Sequence, residues 1–224
     1  MAGKPAGSRR SVYFMSLIDY LVEEGYLNTK AIINAFKVVK RRDFVPEEIK
    51  DLAELDSPLS IGYGQTISQP LVVAFMLELL QPKPGEKILD IGSGSGWTTA
   101  LLAHIVSQKE KSQTRGKVVA IEIIPQLVKF GRKNISRYNF IKKGIVKIVC
   151  GDGSIGFVGE APFDKILASA SAKKLPSAWK QQLKVGGRIV ASIKDSIWVF
   201  EKKPNGQFKE KEYPGFVFVP LVSQ

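Results

Sequence analysis

The chain has 224 residues, 44% of them hydrophobic and 24% charged, which allows a substantial buried core and is ordinary for a water-soluble globular protein. Its single cysteine, Cys150, and single histidine, His104, exclude an internal disulfide and a Cys-cluster metal site, and they argue against a Ser-His-Asp or Cys-His machinery. The net charge is +12, with a pI near 9.7. No apolar run reaches the ~20 residues of a membrane helix, and the start lacks the apolar stretch of a secretory signal. The expectation is a cytoplasmic protein with no membrane partner and no metal.

Residues 1–11 read as a flexible start and 12–224 as a single domain, divided into a helical part with a loop (12–82) and a core (83–224). In chain order, "SLIDYLVEEGY" is apolar at helical spacing and predicts a helix ending at Gly25. "NTKAIINAFKVV" predicts a second, with Asn28 or Thr29 as N-cap. "DFVPEEIKDLAEL" predicts a third, since Pro46, Glu47 and Glu48 suit a first turn. "DSPLSIGYGQTISQP" reads as a loop from its Gly, Pro, Ser and Asp content, and "LVVAFMLELL" as a buried helix.

From Lys87 onward strands and helices alternate. "KILDI" is a strand, "WTTALLAHIV" a helix, "KVVAIEI" a strand and "PQLVKFGRKNISRY" a helix. "IVKIVC" and "FDKILASAS" are strands, and "LPSAWKQQLKVGG" is a helix closing on two glycines. "RIVASIK", "IWVFEKK" and "FVFVPLV" are three closing strands, at least one of them antiparallel. This order predicts an α/β fold with a doubly wound, mostly parallel sheet of seven strands and an N-terminal helical extension. Residues 101–150 carry 11 Lys/Arg against 2 Asp/Glu. Within them Lys129, Arg132, Lys133 and Arg137 share one side of a helix, and Leu127, Val128, Ile135 and Tyr138 the other. A solvated amphipathic face is the favoured reading, ahead of a nucleic-acid partner.

"DIGSGSG" follows a strand and opens a helix. Gly92, Gly94 and Gly96 permit a tight turn and close backbone approach to a ligand. The dinucleotide fingerprint places a small residue where this chain has Trp97, so the turn suits a nucleoside without a diphosphate and disfavours a nicotinamide dehydrogenase. Glu122 ends the second strand, where a carboxylate can accept from ribose hydroxyls. Asp152 ends the third, where one can accept from an adenine amino group. Asp90, in the first strand, is placed to orient the glycine loop or meet the ligand's amino end. A strand-end acid alone can simply cap a helix. Together, at successive carboxyl ends, these groups point to S-adenosyl-L-methionine.

At this point the sequence resembles the protein-L-isoaspartate O-methyltransferases. The resemblance spans roughly residues 30–222 and rests on "RRDFVP", "DSPLSIGYGQTIS-P", "KPGEKILDIGSGSGW", "GDG-IG---EAPFDKI", "LP--W--QLKVGGRIV" and "FVFVPL" in that order, with "IGYGQTIS-P" the most specific. It implies a Rossmann-like fold and S-adenosylmethionine-dependent methyl transfer to the α-carboxylate of L-isoaspartyl residues, with D-aspartyl residues as an extension, in damaged proteins and peptides. It also implies a cytoplasmic monomer. It places the catalytic serine at Ser68 and cofactor contacts at Gln65, Thr66, Ile67, Ser68, Ser95, Glu122, Ile123, Asp152 and Gly153. Leu71 stands where the family commonly has a histidine, and the segment after Val190 looks shortened.

The chemistry needs little acid–base help. A carboxyl group with an unperturbed pKa near 4 is already ionised at neutral pH. The enzyme's task is to align the reacting atoms and exclude water. Ser68 is therefore expected to position the substrate, although a serine ahead of Pro70 could instead cap the following helix. Two other functions remain open: a methyltransferase for RNA or a small molecule, suggested by the charge, and a cofactor-binding relative without turnover.

Overall fold

The computed structural model describes residues 15–108 and 116–223. The start over 1–11 lies outside them, as does most of the polar insert "SQKEKSQTRG".

Helices α1, Leu17–Glu23, and α2, Lys30–Val38, open the described chain. Ser16 caps α1 by accepting from the Asp19 N–H at 3.2 Å. Thr29 occupies the N-cap of α2, but its side chain makes no capping bond. Glu78, from the later helix α3 (Pro70–Leu80), does that work. Its Oε1 accepts from the N–H groups of Asn28 and Thr29 at 2.8 and 2.7 Å. Glu78→Ala should cost about 1–3 kcal/mol, because two helix-terminal donors lose their acceptor. A urea midpoint that does not move would refute this remote cap.

Two segments before α3 depart from expectation. "DFVPEEIKDLAEL" is not an α-helix but two 3₁₀ turns, Arg41–Phe44 and Glu47–Leu52. Val45 precedes a proline and is extended (φ −113°, ψ 156°), which breaks any continuous helix between them. The expected loop 56–70 holds a hairpin, with β1, Leu59–Gly62, paired antiparallel to β2, Gln65–Ile67. Tyr63 and Gly64 both have positive φ, as a two-residue hairpin turn requires. Strands this short show no readable alternation in sequence.

The main sheet contains β3 (Lys87–Ile91), β4 (Lys117–Glu122), β5 (Val146–Cys150), β6 (Phe163–Ala172), β7 (Leu183–Ile193), β8 (Ser196–Lys202) and β9 (Phe208–Pro214). Their spatial order is β5-β4-β3-β6-β7-β8-β9. The first five are parallel, β8 is antiparallel to β7, and β9 is antiparallel to β8. Helices α4, Trp97–Val106, and α5, Pro125–Ser136, connect β3 to β4 and β4 to β5, and α6, Ser177–Gln182, precedes β7. Strands β3 and β4 are buried almost throughout and read as continuous apolar runs, as central parallel strands do. Ile88, Val118, Leu167 and Val190 belong to the core shared with α1–α5. Leu89, Val119, Ile166 and Ile189 belong to the core around Trp179 of α6.

The seven-strand expectation holds, but the C-terminal elements were misplaced. The helix before β7 stops at Gln182, and Leu183–Gly187 already belongs to the strand, with Leu183 opposite Phe163. A Cβ on Gly187 would lie 2.8 Å from the Asp164 carbonyl, so this glycine serves close strand approach and not a helix end. The last strand is "FKEKEYP", whose charges suit an exposed edge. "FVFVPLV" is not a strand. It crosses the carboxyl ends of the sheet, touching it through the Ser171 N–H to Val219 carbonyl bond (2.8 Å) and the Leu221 N–H to Ser171 carbonyl bond (2.9 Å).

Candidate active site

After β3 the chain moves outward to β4 and β5, then returns to place β6 on the other side of β3. The carboxyl ends of β3 and β6 part there, which is where open α/β sheets bind ligands. The turn from β3 into α4 borders this gap. Gly92, Gly94 and Gly96 all have positive φ (76°, 51° and 88°). A Cβ on Gly92 would press on the Ala170 Cβ at 3.2 Å, so glycine keeps the gap between β3 and β6 open.

Glu122 holds this turn in place. Its Oε2 accepts from the Gly94 N–H at 2.9 Å and its Oε1 from the Ile124 N–H at 3.0 Å. A carboxylate has about four acceptor positions, so two remain for a ligand. Gly153 forms another part of the wall, where a Cβ would strike Ile91 Cγ2 at 2.4 Å. The buried Trp179 indole N–H donates to the Gly153 carbonyl at 2.8 Å and fixes this wall from behind.

These groups form a cleft open to solvent at its mouth. Gln65, Thr66, Ile67 and Ser68 line one side, Gly92, Gly94 and Ser95 the floor, and Glu122, Ile123 and Gly153 the rest of the expected set. Three expected residues lie outside the lining. Gly96 is the N-cap of α4, packed against Ile135. The Asp152 Oδ1 accepts from the Ser154 N–H at 2.7 Å, beside the lining residues Gly151 and Gly153. Asp90 is fully buried under the turn, bonded by the Thr99 hydroxyl, and its Oδ1 has no hydrogen-bond partner among the described residues.

Burial pushes the Asp90 carboxyl up to about 6, against the pull of the Thr99 hydrogen bond and with added repulsion from Glu122. The folded chain therefore keeps this proton to a higher pH than the unfolded chain. Its contribution to stability falls as pH rises from 3.8 to about 6 and stays lost above that. Asp90→Asn should flatten that part of the stability profile. Denaturant midpoints between pH 4 and 7 test this, and an unchanged slope would count against it.

Sequence reasoning missed several lining residues. Trp97 packs edge-on against Phe36 with centroids 5.5 Å apart and donates to the Val39 carbonyl, joining the helical extension to the cleft. Ser169, Ala170 and Val219–Val222 complete the wall. For Val219–Val222 the sequence signal was the motif "FVFVPL", whose apolar run reads as a strand.

Ser68 lies between two hollows. A second hollow, lined by Pro58, Leu71, Val72 and Phe216–Val219, shares Thr66, Ser68, Ser169 and Val219 with the first. Among the described residues no Lys or Arg lines either. Ser68 does not cap α3. Asp56 does, its Oδ1 accepting from the Leu71 N–H at 2.8 Å. His104 sits on α4, pairs with Asn34 at 2.7 Å, and lines neither hollow. Among the described residues no group of acids, histidines or cysteines could hold a metal.

The model of the family described as protein-L-isoaspartate(D-aspartate) O-methyltransferase matches residues 14–224. The chain belongs to this family. A protein-L-isoaspartate O-methyltransferase of Methanopyrus kandleri is 39% identical over 212 residues, covering 93% of this chain and 90% of the relative. One from Aeropyrum pernix is 39% identical over 214 residues, covering 94% and 79%. A Plasmodium falciparum chain described as a protein-L-isoaspartate O-methyltransferase, crystallised with S-adenosyl-L-homocysteine, superposes with a TM-score of 0.81 at 26% identity, covering 93% of this chain and 97% of that one. The residues present suit a nucleoside ligand of this kind. Glu122 offers free acceptor positions, the glycine turn allows close approach, and Trp97 fills the place a diphosphate would need small.

Proposed function

We propose that this protein-L-isoaspartate O-methyltransferase family member methylates the α-carboxylate of L-isoaspartyl residues, and by extension D-aspartyl residues, in damaged proteins, the step that starts their repair. The methyl donor is S-adenosylmethionine, which supplies, when bound, a methyl group made electrophilic by its sulfonium. The observation that carries the reading is the place of Ser68, at the junction of the nucleoside cleft and an apolar hollow that no cation among the described residues lines.

The residues have separate tasks. Glu122 accepts from the ribose, and the backbone around Gly92, Gly94 and Ser95 lies close to the ligand. Gln65, Thr66 and Ile67 cover it. The apolar hollow takes the substrate chain and excludes water. The Ser68 hydroxyl donates to one carboxylate oxygen and leaves the other free to react. A lysine or arginine paired to that carboxylate would blunt its nucleophilicity, and among the described residues none lines the site. No general base is required, because the carboxylate is ionised at neutral pH.

The working form is taken as a cytoplasmic monomer, with the basic face of α5 solvated. Among the described residues no helix is long and apolar enough to cross a membrane. Methyl transfer from labelled S-adenosylmethionine to an isoaspartyl peptide and its normal aspartyl twin tests the proposal, with base-labile methanol release as readout. The isoaspartyl peptide alone should become labelled. Equal labelling of both would refute the specificity. Label appearing in RNA, in a salt-sensitive manner, would favour the nucleic-acid alternative.

A further inference from the structure

We infer that Arg41 is the positioning residue for Ser68, an inference that rests on the role given to Ser68 above. Arg41 is buried, and its guanidinium grips four carbonyls. Nη1 donates to Ala53 and Leu55, both at 3.0 Å. Nη2 donates to Ser57 at 2.8 Å and to Ser68 itself at 3.1 Å. One planar group thus ties the loop leading into the hairpin to the serine that follows it.

Stability alone is a poor explanation for this arrangement. A buried cation carries a desolvation cost that a direct ion pair can offset. Among the described residues no carboxylate oxygen bonds Arg41. Asp56 is near enough to favour the charge, but its oxygens accept from the Gln69 side chain at 3.0 Å and the Leu71 N–H at 2.8 Å. The Arg41 Nε is buried without a hydrogen-bond partner among the described residues. Neutral donors could satisfy carbonyls at less cost.

The geometry gives the charge another task. Residues 68–71 are held at one end by Arg41 and at the other by Asp56. The bond to the Ser68 carbonyl fixes the peptide plane between Ser68 and Gln69. Among the described residues no hydrogen bond holds the Ser68 hydroxyl itself, so its location depends on that backbone. Misplacement by about 1 Å can lower turnover about 10²-fold. Lysine cannot substitute, since an ammonium has no planar fork with which to span four carbonyls.

The test is a double-mutant cycle on methylation of an isoaspartyl peptide, using Arg41→Lys, Ser68→Ala and the double variant. S-adenosylmethionine is kept saturating, because the guanidinium also lies 5.5 Å from the Trp97 ring in the cofactor cleft. Thermal unfolding confirms the fold of each variant at the assay temperature. Arg41→Lys should lower kcat about tenfold or more, with the peptide KM changing less. In the Ser68→Ala background the same change should lower kcat less than about twofold, because the hydroxyl it positions is gone. Losses that multiply overturn the role of Arg41 and leave that of Ser68 intact. Wild-type turnover by Ser68→Ala removes the role of Ser68 and this inference with it. Should Arg41→Lys fail to fold, Arg41→Gln enters the same cycle, as a neutral amide avoids burying a charge. The same outcomes then decide.

Discussion

Glu122→Ala is expected to weaken S-adenosylmethionine binding by about 10²-fold or more. The proposed ribose contacts are hydrogen bonds to a charged group, each contributing about 1.5–3 kcal/mol, and every 1.4 kcal/mol or so is a factor of ten in affinity. The substitution also frees the N–H groups of Gly94 and Ile124, which now share this carboxylate. The glycine turn would then lose its fixed distance from the end of β4. Glu122→Gln keeps one acceptor oxygen and should fall between wild type and alanine. Calorimetric titration with the cofactor reads both. A dissociation constant within threefold of wild type for Glu122→Ala would rule out the ribose contact.

Trp179→Ala should destabilise the fold by about 3–5 kcal/mol, the usual loss for a large buried aromatic side chain. Trp179 has no exposed surface, and its indole bonds the Gly153 carbonyl. Domains of ordinary stability have about 5–15 kcal/mol in total, so the variant would be marginal at best. Trp179→Phe separates the two contributions. It keeps most of the packing and removes only the indole bond, because the Gly153 carbonyl still accepts from the Gly156 N–H at 3.0 Å, so it should cost only the net value of one hydrogen bond, about 0.5–1.5 kcal/mol. Chemical denaturation gives both values. A loss below about 1 kcal/mol for the alanine variant would mean that the core around α6 closes over the gap.

The parallel half of the sheet was readable because its signals are local. "KILDIGSGSGW" states a strand, a glycine turn and a helix start within a few residues, and β3 and α4 fall there. Glu122 is legible for the same reason, since it closes β4 next to the glycine turn, whereas Gly153, which opens a 3₁₀ turn after β5, came only with the family resemblance. What failed depends on distant partners. "FVFVPLV" has the composition of a strand, but the edge next to β8 is taken by "FKEKEYP", so the apolar segment lies across the strand ends instead. The two glycines after α6 look like a helix stop, yet Gly187 answers to the Asp164 carbonyl on the neighbouring strand. Nothing in "RRDFVP" marks Arg41 as the buried one of its two arginines. Only the folded loop brings four carbonyls around it.

The return of β6 to the side of β3 also governs how the chain reaches this state. Leu89 pairs with Ile166, although two complete strand–helix units lie between them in sequence. Contacts of such separation form late, because the entropy of closing the intervening loop comes before the reward. Until β6 arrives, the apolar edge of β3 is open to any other strand, including one from a second unfinished molecule. Refolding should therefore succeed at low protein concentration and fail by aggregation at high. Its rate should be limited by the docking of the central strand, well after the local helices have formed.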